Sequence, residues 1–545
     1  MNFSESFKHS NFLCQYSPNG KYVASASQHR LVVRSVSTLQ IEHLFTCNDV
    51  IQELEWSPDS ALILCGMFKR SLIQVWSLEQ PEWACKIDEG WAGVIAVRWA
   101  PNSRHILTTL DFNLRVVVWS LLDKSISYIK YPKGFMDFSK DGRYLALAER
   151  RDCKDYVSVF DCNVWQLCKH FAVDTRDSSG LAWSPDGSLL AVWDSPVNFK
   201  ILLYSPDGRC LGTYSAYDNA LAIKSVSWSS SGQFCAIGCY DQKVRLLNHL
   251  TWKPSMEFDH PTSFSPKKST TVVYQEVVID GPQAPIDMTS TLQERQRIHR
   301  QQSRYDIFTG RVRLLEVKPD PEKPNPRLGV GLAKFSVDSV YLATRNGRWL
   351  PIYSLCHAYN TNVYSIIRFP RLSGYFSEKR MCAIMLGLAV YQYIVRVLDD
   401  IFTGRVRLLE VKPDPEKPNP RLGVGLAKFS VDSVYLATRN DNQPNTVWIW
   451  DMLRLTLVAL LMQTSPVRCL EWSPVTTELA VCSGTSHVYI WSPAGCTSTS
   501  IPTDLPFPAQ RLSWSPCGDS FTVMSKERFC VCYHQGEMKA SQLEE

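Results

Sequence analysis

The residue types that could do chemistry are all present, but none stands in a pattern that does it. Eleven histidines are spread over 545 residues with no pair at the spacing a zinc site needs. Gly329-Val330-Gly331 lacks the third glycine and the following helix of a phosphate-cradling loop, and no G-x-x-x-x-G-K-[ST] run occurs. Gly484-Thr485-Ser486-His487-Val488 begins like a nucleophile elbow but ends on valine, ahead of a strand. Ser486 beside His487 therefore reads as surface decoration on a loop rather than as a nucleophile with its base. Catalytic, cofactor-binding and metal-binding residues are accordingly expected to number none, and no enzyme activity is expected.

The 18 cysteines could suggest a disulfide framework until their positions are read. No C-x-x-C pair exists, and Cys65, Cys235 and Cys482 sit inside apolar runs. Cys530 and Cys532 are spaced to share one face of a strand. Buried, reduced thiols in a cytoplasmic protein are the expectation. The N-terminal ten residues carry no apolar core and do not read as a signal peptide. A net charge of +5, with no dense Lys/Arg stripe, gives no mandate for nucleic acid.

What organises the chain is a phrase that recurs. Trp183-Ser184-Pro185-Asp186-Gly187 ends an apolar run, fits a type I turn and leads into the bulky run 189–193. Variants stand at Tyr16-Ser17-Pro18-Asn19-Gly20, Trp56-Ser57-Pro58-Asp59-Ser60, Trp99-Ala100-Pro101-Asn102-Ser103 and Phe138-Ser139-Lys140-Asp141-Gly142. Others are Trp228-Ser229-Ser230-Ser231-Gly232, Phe429-Ser430-Val431-Asp432-Ser433, Trp472-Ser473-Pro474 and Trp514-Ser515-Pro516-Cys517-Gly518. Apart from one long gap, neighbours are separated by about 40 residues, the period of a four-stranded propeller blade. Ser205-Pro206-Asp207-Gly208 is a further hairpin turn inside the fifth unit. The chain thus resembles the WD-repeat β-propellers over most of its length. A Trp-Asp pair closes a unit only at Trp450-Asp451, and the Gly-His that usually opens one is missing. The polar network that pins a typical blade is therefore expected to be mostly absent. Sialidase-type propellers carry S-x-D-x-G turns, whereas here glycine follows aspartate directly.

In chain order, Phe3 and Phe7 mark a short strand that is expected to complete the last unit, which ends at 529–533 with little chain left for an outer strand. Trp83 and Trp91 flank an acidic stretch at a blade junction. They are expected to fill the inter-blade core, with a partner-docking anchor as the other reading. Residues 271–279 could form a strand, and 292–305 reads as a basic helix with a sparse apolar face. Residues 306–346 and 400–440 are identical over 41 positions, offset by 94. Old blade divergence cannot give identity. The second copy continues into a blade pattern at 446–451, and the first runs into 347–399, which lacks one. The apolar run 381–395 there is short for a membrane span. Residues 306–399 read as a recent exon duplication with translated non-coding sequence, or a gene-model artefact.

The expected architecture is all-β. It is a propeller of about nine degenerate four-stranded units, with a seven- or eight-bladed ring plus a partial blade as the alternative. Units one to six span 1–252 and an insertion spans 253–306. The duplicated fragment occupies 307–399, the last three units 400–538 and a tail 539–545.

Several stretches carry a closer resemblance: Lys21-Tyr22 with 30–34, 75–83, 86–90, 127–132, 145–157, 343–346 with its twin, and 489–496. By these the chain is similar to the WD-repeat protein eight family. That resemblance implies a cytoplasmic scaffold of the cytoskeleton, at the centrosome, spindle pole and centriolar satellites. It implies a coiled-coil partner, the synovial-sarcoma-X-breakpoint-interacting protein, and other centrosomal or microtubule-associated proteins. It implies roles in microtubule minus-end anchoring, mitotic spindle assembly and cilium assembly. It implies no cofactor, nucleic acid or membrane, and it carries no partner-binding residues over to this chain. Two other classes stay open. One is a cullin ubiquitin-ligase substrate receptor, although Leu453 stands where the W-D-x-R signature needs arginine and Arg454 comes one late. The other is an RNA- or ribosome-associated propeller.

Overall fold

The computed structural model describes residues 1–217, 223–264, 271–276, 422–503 and 506–533. It also describes short stretches at 314–316, 333–335, 341–344, 349–351 and 406–408. Two compact units divide the chain: one takes in 1–260, 274–315 and 409–545, and the other 261–273 and 316–408.

The first unit is a nine-bladed β-propeller. Seven blades are four-stranded antiparallel meanders taken in chain order from 14–46, 53–88, 94–130, 132–173, 180–214, 223–259 and 469–500, and the meander of 424–462, blade seven, is extended to a six-stranded sheet by Val272–Glu276 and Leu314–Glu316. The ninth draws three strands from 511–533. Its outer edge comes from the other end of the chain: Asn2 pairs with Tyr533, Phe3 with Cys532 and Phe7 with Phe529. The Phe7 and Phe529 rings lie 5.4 Å apart. The ring is thus sewn shut by a segment more than 500 residues away in sequence.

Burial explains which runs became which strands. The middle strands are covered on both faces by neighbouring blades, so Ile201–Tyr204 and Thr446–Asp451 are buried throughout. A doubly covered strand needs a continuous apolar run rather than alternation. Outer strands meet water, and Ile41–Thr46 buries only Phe45. Apolar clusters fill the interfaces between successive blades from one to six and between blades eight and nine. The cluster of Cys14, Tyr16 and Val23 with Met524, Phe529 and Val531 fills the last one, between blades nine and one.

The recurrent turns form as their residues require. In blade five Gly187 N–H donates to the Ser184 carbonyl at 2.9 Å, and Gly187 takes φ +71°. Ser184 Oγ donates to Asp186 Oδ1 at 2.5 Å and accepts from Leu189 N–H at 3.0 Å. The left-handed fourth position favours glycine. Yet serine occupies it at Ser60 (φ +65°), Ser103 (φ +57°) and Ser433 (φ +60°).

In the second unit, Ala333–Phe335, Tyr341–Thr344 and Trp349–Pro351 form a three-stranded antiparallel sheet. Ser263–Phe264 pairs with Val406–Arg407. The strand Val272–Glu276, inside the 271–279 stretch, falls mostly in the first unit, beside Thr456–Met462 of the 424–462 blade. The basic 292–305 segment and the apolar 381–395 run lie outside the described residues.

Candidate partner-binding surface

Scaffolding requires a frame that does not yield, and the frame is built from two repeated bonds between blades. The aromatic before each turn sits at the end of a blade's inner strand. Where it is tryptophan, its indole N–H usually donates to a backbone carbonyl on the preceding blade. Trp56 reaches Gln15 at 3.2 Å, Trp99 reaches Glu55 at 3.2 Å and Trp183 reaches Asp137 at 3.0 Å. Trp472 reaches Lys428 at 2.9 Å and Trp514 reaches Glu471 at 3.1 Å. The second bond explains the left-handed serines. Ser60 Oγ accepts the Asn19 N–H at 3.0 Å, Ser103 Oγ that of Asp59 at 3.0 Å, and Ser433 Oγ that of Ser231 at 3.1 Å. Each serine thereby satisfies a backbone donor in the turn of the blade before it. A bond of this kind contributes about 1 kcal/mol, enough to offset the backbone strain. Where the turn of the preceding blade presses too close, glycine stands instead: a Cβ on Gly142 would lie 2.7 Å from Pro101 Cβ.

Two blades carry an internal polar triad, so the network is sparse but not wholly missing. In blade seven His260 Nε2 meets Thr438 Oγ1 at 2.8 Å, and the Trp450 indole donates to the same oxygen at 2.9 Å. His260 follows aspartate rather than glycine. Burial pushes its imidazole down to about 4, so it is neutral at physiological pH. In blade three the role of histidine falls to Glu89, whose Oε1 accepts from Thr108 Oγ1 at 2.6 Å and from the Trp119 indole at 2.7 Å. In blade two the matching positions hold the buried Cys47 and Cys65 with Trp76, whose indole N–H finds no hydrogen-bond partner there, and the Cys65 thiol is pushed well up by Cys47 and by burial. The signal for all three arrangements was a closing tryptophan preceded by threonine or cysteine eleven or twelve residues earlier. It is invisible to a search for Gly-His.

In a four-stranded meander the second hairpin and the link to the next blade lie at one end. On that face blade three presents its most exposed side chains. Trp91 sits in the turn Gly90–Ala92. Its neighbours Glu89 and Ala92 face inward, Glu89 to the triad and Ala92 to the apolar cluster between blades two and three. The indole is therefore left fully exposed. This overturns the expectation that Trp91 fills the inter-blade core. Trp83, in a turn at the other end of blade two, is also exposed, at 37%. Beside Trp91, the second hairpin of blade three holds Phe112 at 85% exposure and Leu114 at 62%. The two turns touch through Asp111 N–H donating to the Gly93 carbonyl at 3.3 Å. Phe112 and Asn113 both adopt left-handed backbone, φ +54° and +51°. Asp111 Oδ1 accepts the Phe112 N–H at 2.8 Å and holds the turn.

Next to this rim lies a cavity of about 540 Å³ over the inner strands of blades three, four and five. Ile95, Phe135, Met136, Leu181 and Trp193 give it apolar walls, and Arg98 is the charged residue among those lining it. Its outer border is rigid. Buried Asp155 receives Lys133 Nζ at 3.1 Å, Arg150 at 3.0 Å, Thr175 Oγ1 at 2.7 Å and Ser178 N–H at 2.6 Å. Burial alone would raise its pKa, but these donors more than offset that and hold it below the usual range. Asp194 gathers the N–H groups of Arg176, Asp177 and Ser195 and the amide of Asn198 in the same way.

The remaining candidates fall away from this surface. Ser486 accepts from Phe507 N–H at 3.3 Å. His487 begins the strand His487–Ser492 rather than lying on a loop, and the described residues bring no nucleophile-base pair together there. Gly329 lies outside the described residues. Its twin Gly423 is a left-handed residue entering blade seven, φ +83°. Cys65, Cys235, Cys482, Cys530 and Cys532 are buried, whereas Cys153, Cys168, Cys210 and Cys517 are exposed. Among the described residues no group of three metal-ligating side chains forms, and no helix is long and apolar enough to cross a membrane.

The WD domain, G-beta repeat family model matches residues 208–248 and 456–492. The chain is 46% identical over 536 residues to WD repeat-containing protein WRAP73 of Mus musculus, covering 98% of this chain and 96% of that protein. It is 21% identical to the uncharacterized WD repeat-containing protein C32H8.09 of Schizosaccharomyces pombe, over 64% of this chain and 70% of that one. Among solved structures, the C-terminal WD40 domain of Sif2 is similar at 10% identity and a TM-score of 0.42, covering 89% of this chain and 96% of that one. A ring of nine blades with a likeness of this extent to WRAP73 places the chain plainly: it belongs to the WD-repeat protein eight family of β-propellers.

Proposed function

We propose that this non-enzymatic scaffold works at the centrosome, the spindle pole and the centriolar satellites. There it binds a coiled-coil partner of the synovial-sarcoma-X-breakpoint-interacting type. Through that complex it supports microtubule minus-end anchoring, mitotic spindle assembly and cilium assembly. The observation that carries the reading is the near full-length likeness to WRAP73. The ring adds a physical reason. Its faces are preformed, so a partner docks without ordering the scaffold, and binding free energy is not spent on folding. The exposed rim of blade three supplies aromatic anchors of the kind that dominate interfaces.

The test is affinity purification of the tagged chain from mitotic cells, with and without residues 307–400, read by mass spectrometry. Recovery of the coiled-coil partner with centrosomal proteins is expected from both forms. Recovery of cullin adaptors or ribosomal subunits, with no centrosomal protein, would sink the reading and leave the propeller alone.

A further inference from the structure

Arg98 is exposed and stands between two acidic neighbours that are already committed. Glu55 Oε2 accepts the Trp99 N–H at 3.1 Å, and Asp137 Oδ2 accepts the Trp183 N–H at 2.8 Å. Burial pushes Glu55 up to about 7 and raises Asp137, and nearby Glu53, as well. Among the described residues the Arg98 guanidinium makes no ion pair. It donates one long hydrogen bond, 3.4 Å to the Met136 carbonyl. A group with five donors in a planar fork is left facing an apolar cavity.

The rim adds an independent observation. Phe112 is bulky, solvent-exposed and held in left-handed backbone. A non-glycine residue costs roughly 1–2 kcal/mol there. Such strain persists where the surroundings impose it, and it concentrates where a side chain must be displayed. Here the imposing groups are Asp111, and Gly134 of blade four beside Asn113.

We infer that the cavity over blades three to five seats a partner segment that places an apolar side chain between Ile95, Phe135 and Trp193 and an adjacent carboxylate on Arg98, with Trp91 and Phe112 closing over it. The occupant is an acidic-apolar peptide, and the argument for it is charge complementarity. One cation without an ion pair is the charged residue of a seat with apolar walls, where a charge-assisted bond is strong. This deepens the scaffold reading and rests on it, since it says which chemistry of partner the ring selects.

The test uses the full chain and a phage-displayed random-peptide library, followed by fluorescence polarisation on the enriched peptides. Enriched sequences should carry aspartate or glutamate within two positions of leucine, phenylalanine or tryptophan. Their affinity should fall at least about tenfold, or roughly 1.4 kcal/mol, in Arg98→Ala and in Trp91→Ala. Both residues are exposed, and unchanged melting curves confirm intact folding. Arg98→Glu should invert the preference toward basic peptides. A library that enriches nothing, or enriches peptides without acidic residues, overturns the inference. So do acidic binders indifferent to both alanine variants. The purification described above, repeated with Arg98→Glu, separates the two failures. Centrosomal proteins recovered undiminished leave the scaffold standing and remove this seat from it.

Discussion

Residues 306–346 and 400–440 have the same sequence and end in different structures. Both make the same hairpin. In the second copy Ala427 pairs with Thr438, Lys428 with Ala437 and Phe429 with Leu436. In the first copy the corresponding partners are Ala333 with Thr344, Lys334 with Ala343 and Phe335 with Leu342. After that they part. The second copy meets Thr446–Asp451 and Thr456–Met462 and becomes a blade. The first meets only Trp349–Pro351 and remains a three-stranded sheet. The difference teaches that hairpin register is local information, whereas a blade is specified by what comes next in the chain and by what stands beside it in the ring.

That comparison can be broken in several ways. The largest effect is expected from the place where the completing strand is most remote. Deleting residues 1–10 strips the outer strand from blade nine, removes Phe3 and Phe7 and uncovers the edge of 528–533 on which they lie. Two phenylalanines removed from a packed edge correspond to roughly 3–6 kcal/mol. A melting curve that does not move would show that the seam closes without them.

Next come substitutions in the second copy. A Cβ on Gly423 would sit 2.4 Å from Tyr240 Cα and 2.5 Å from the Cys239 carbonyl, at φ +83°. Gly423→Ala should cost roughly 3 kcal/mol or more by denaturant titration. Thr438→Ala deprives both His260 and the Trp450 indole of their shared partner and should cost about 1–3 kcal/mol. Thr344→Ala, its counterpart in the first copy, should be silent. Equal effects in the two copies would mean that the first can take the place of the second in the ring.

A smaller effect sharpens the same point through pH. The folded pKa of His260, about 4, lies below its ordinary value of 6.5. The unfolded chain therefore takes up the proton first. This contribution is fully present above about pH 6.5 and is lost progressively as pH falls toward 4. Replacing His260 by glutamine should flatten that part of the stability profile while leaving pH 8 behaviour governed by the lost bonds. The smallest effect is expected from Ser433→Ala. It removes the acceptor for Ser231 N–H and should cost about 1 kcal/mol.

Much of the ring was legible because its signals are local. The turn phrase, its period and the doubly buried runs each reported on a few neighbouring residues, and they agreed with one another. The N-terminal strand was legible from a deficit, since 529–533 had no outer partner in its own unit. What failed were matters decided across a blade boundary. Whether Trp91 points in or out depends on Glu89 having a partner in Thr108 and Trp119, a relation spanning thirty residues. The triad of blade three was hidden because glutamate does work that histidine does in blade seven. The serines at left-handed positions looked like poor turn residues until the preceding blade supplied the N–H that each accepts.

The bonds between blades also give the ring a mechanical grain. Indoles reach backward to carbonyls and serines accept from the turn behind, so a load spread over one face is shared around many short links in parallel. A load applied at the first residue is not shared. It falls on the few ladder bonds of Asn2–Phe3 and Phe7–Lys8, which can peel one after another. A tether fixed to the face of blade three should therefore hold against a pull that would unbutton the same ring from its amino terminus.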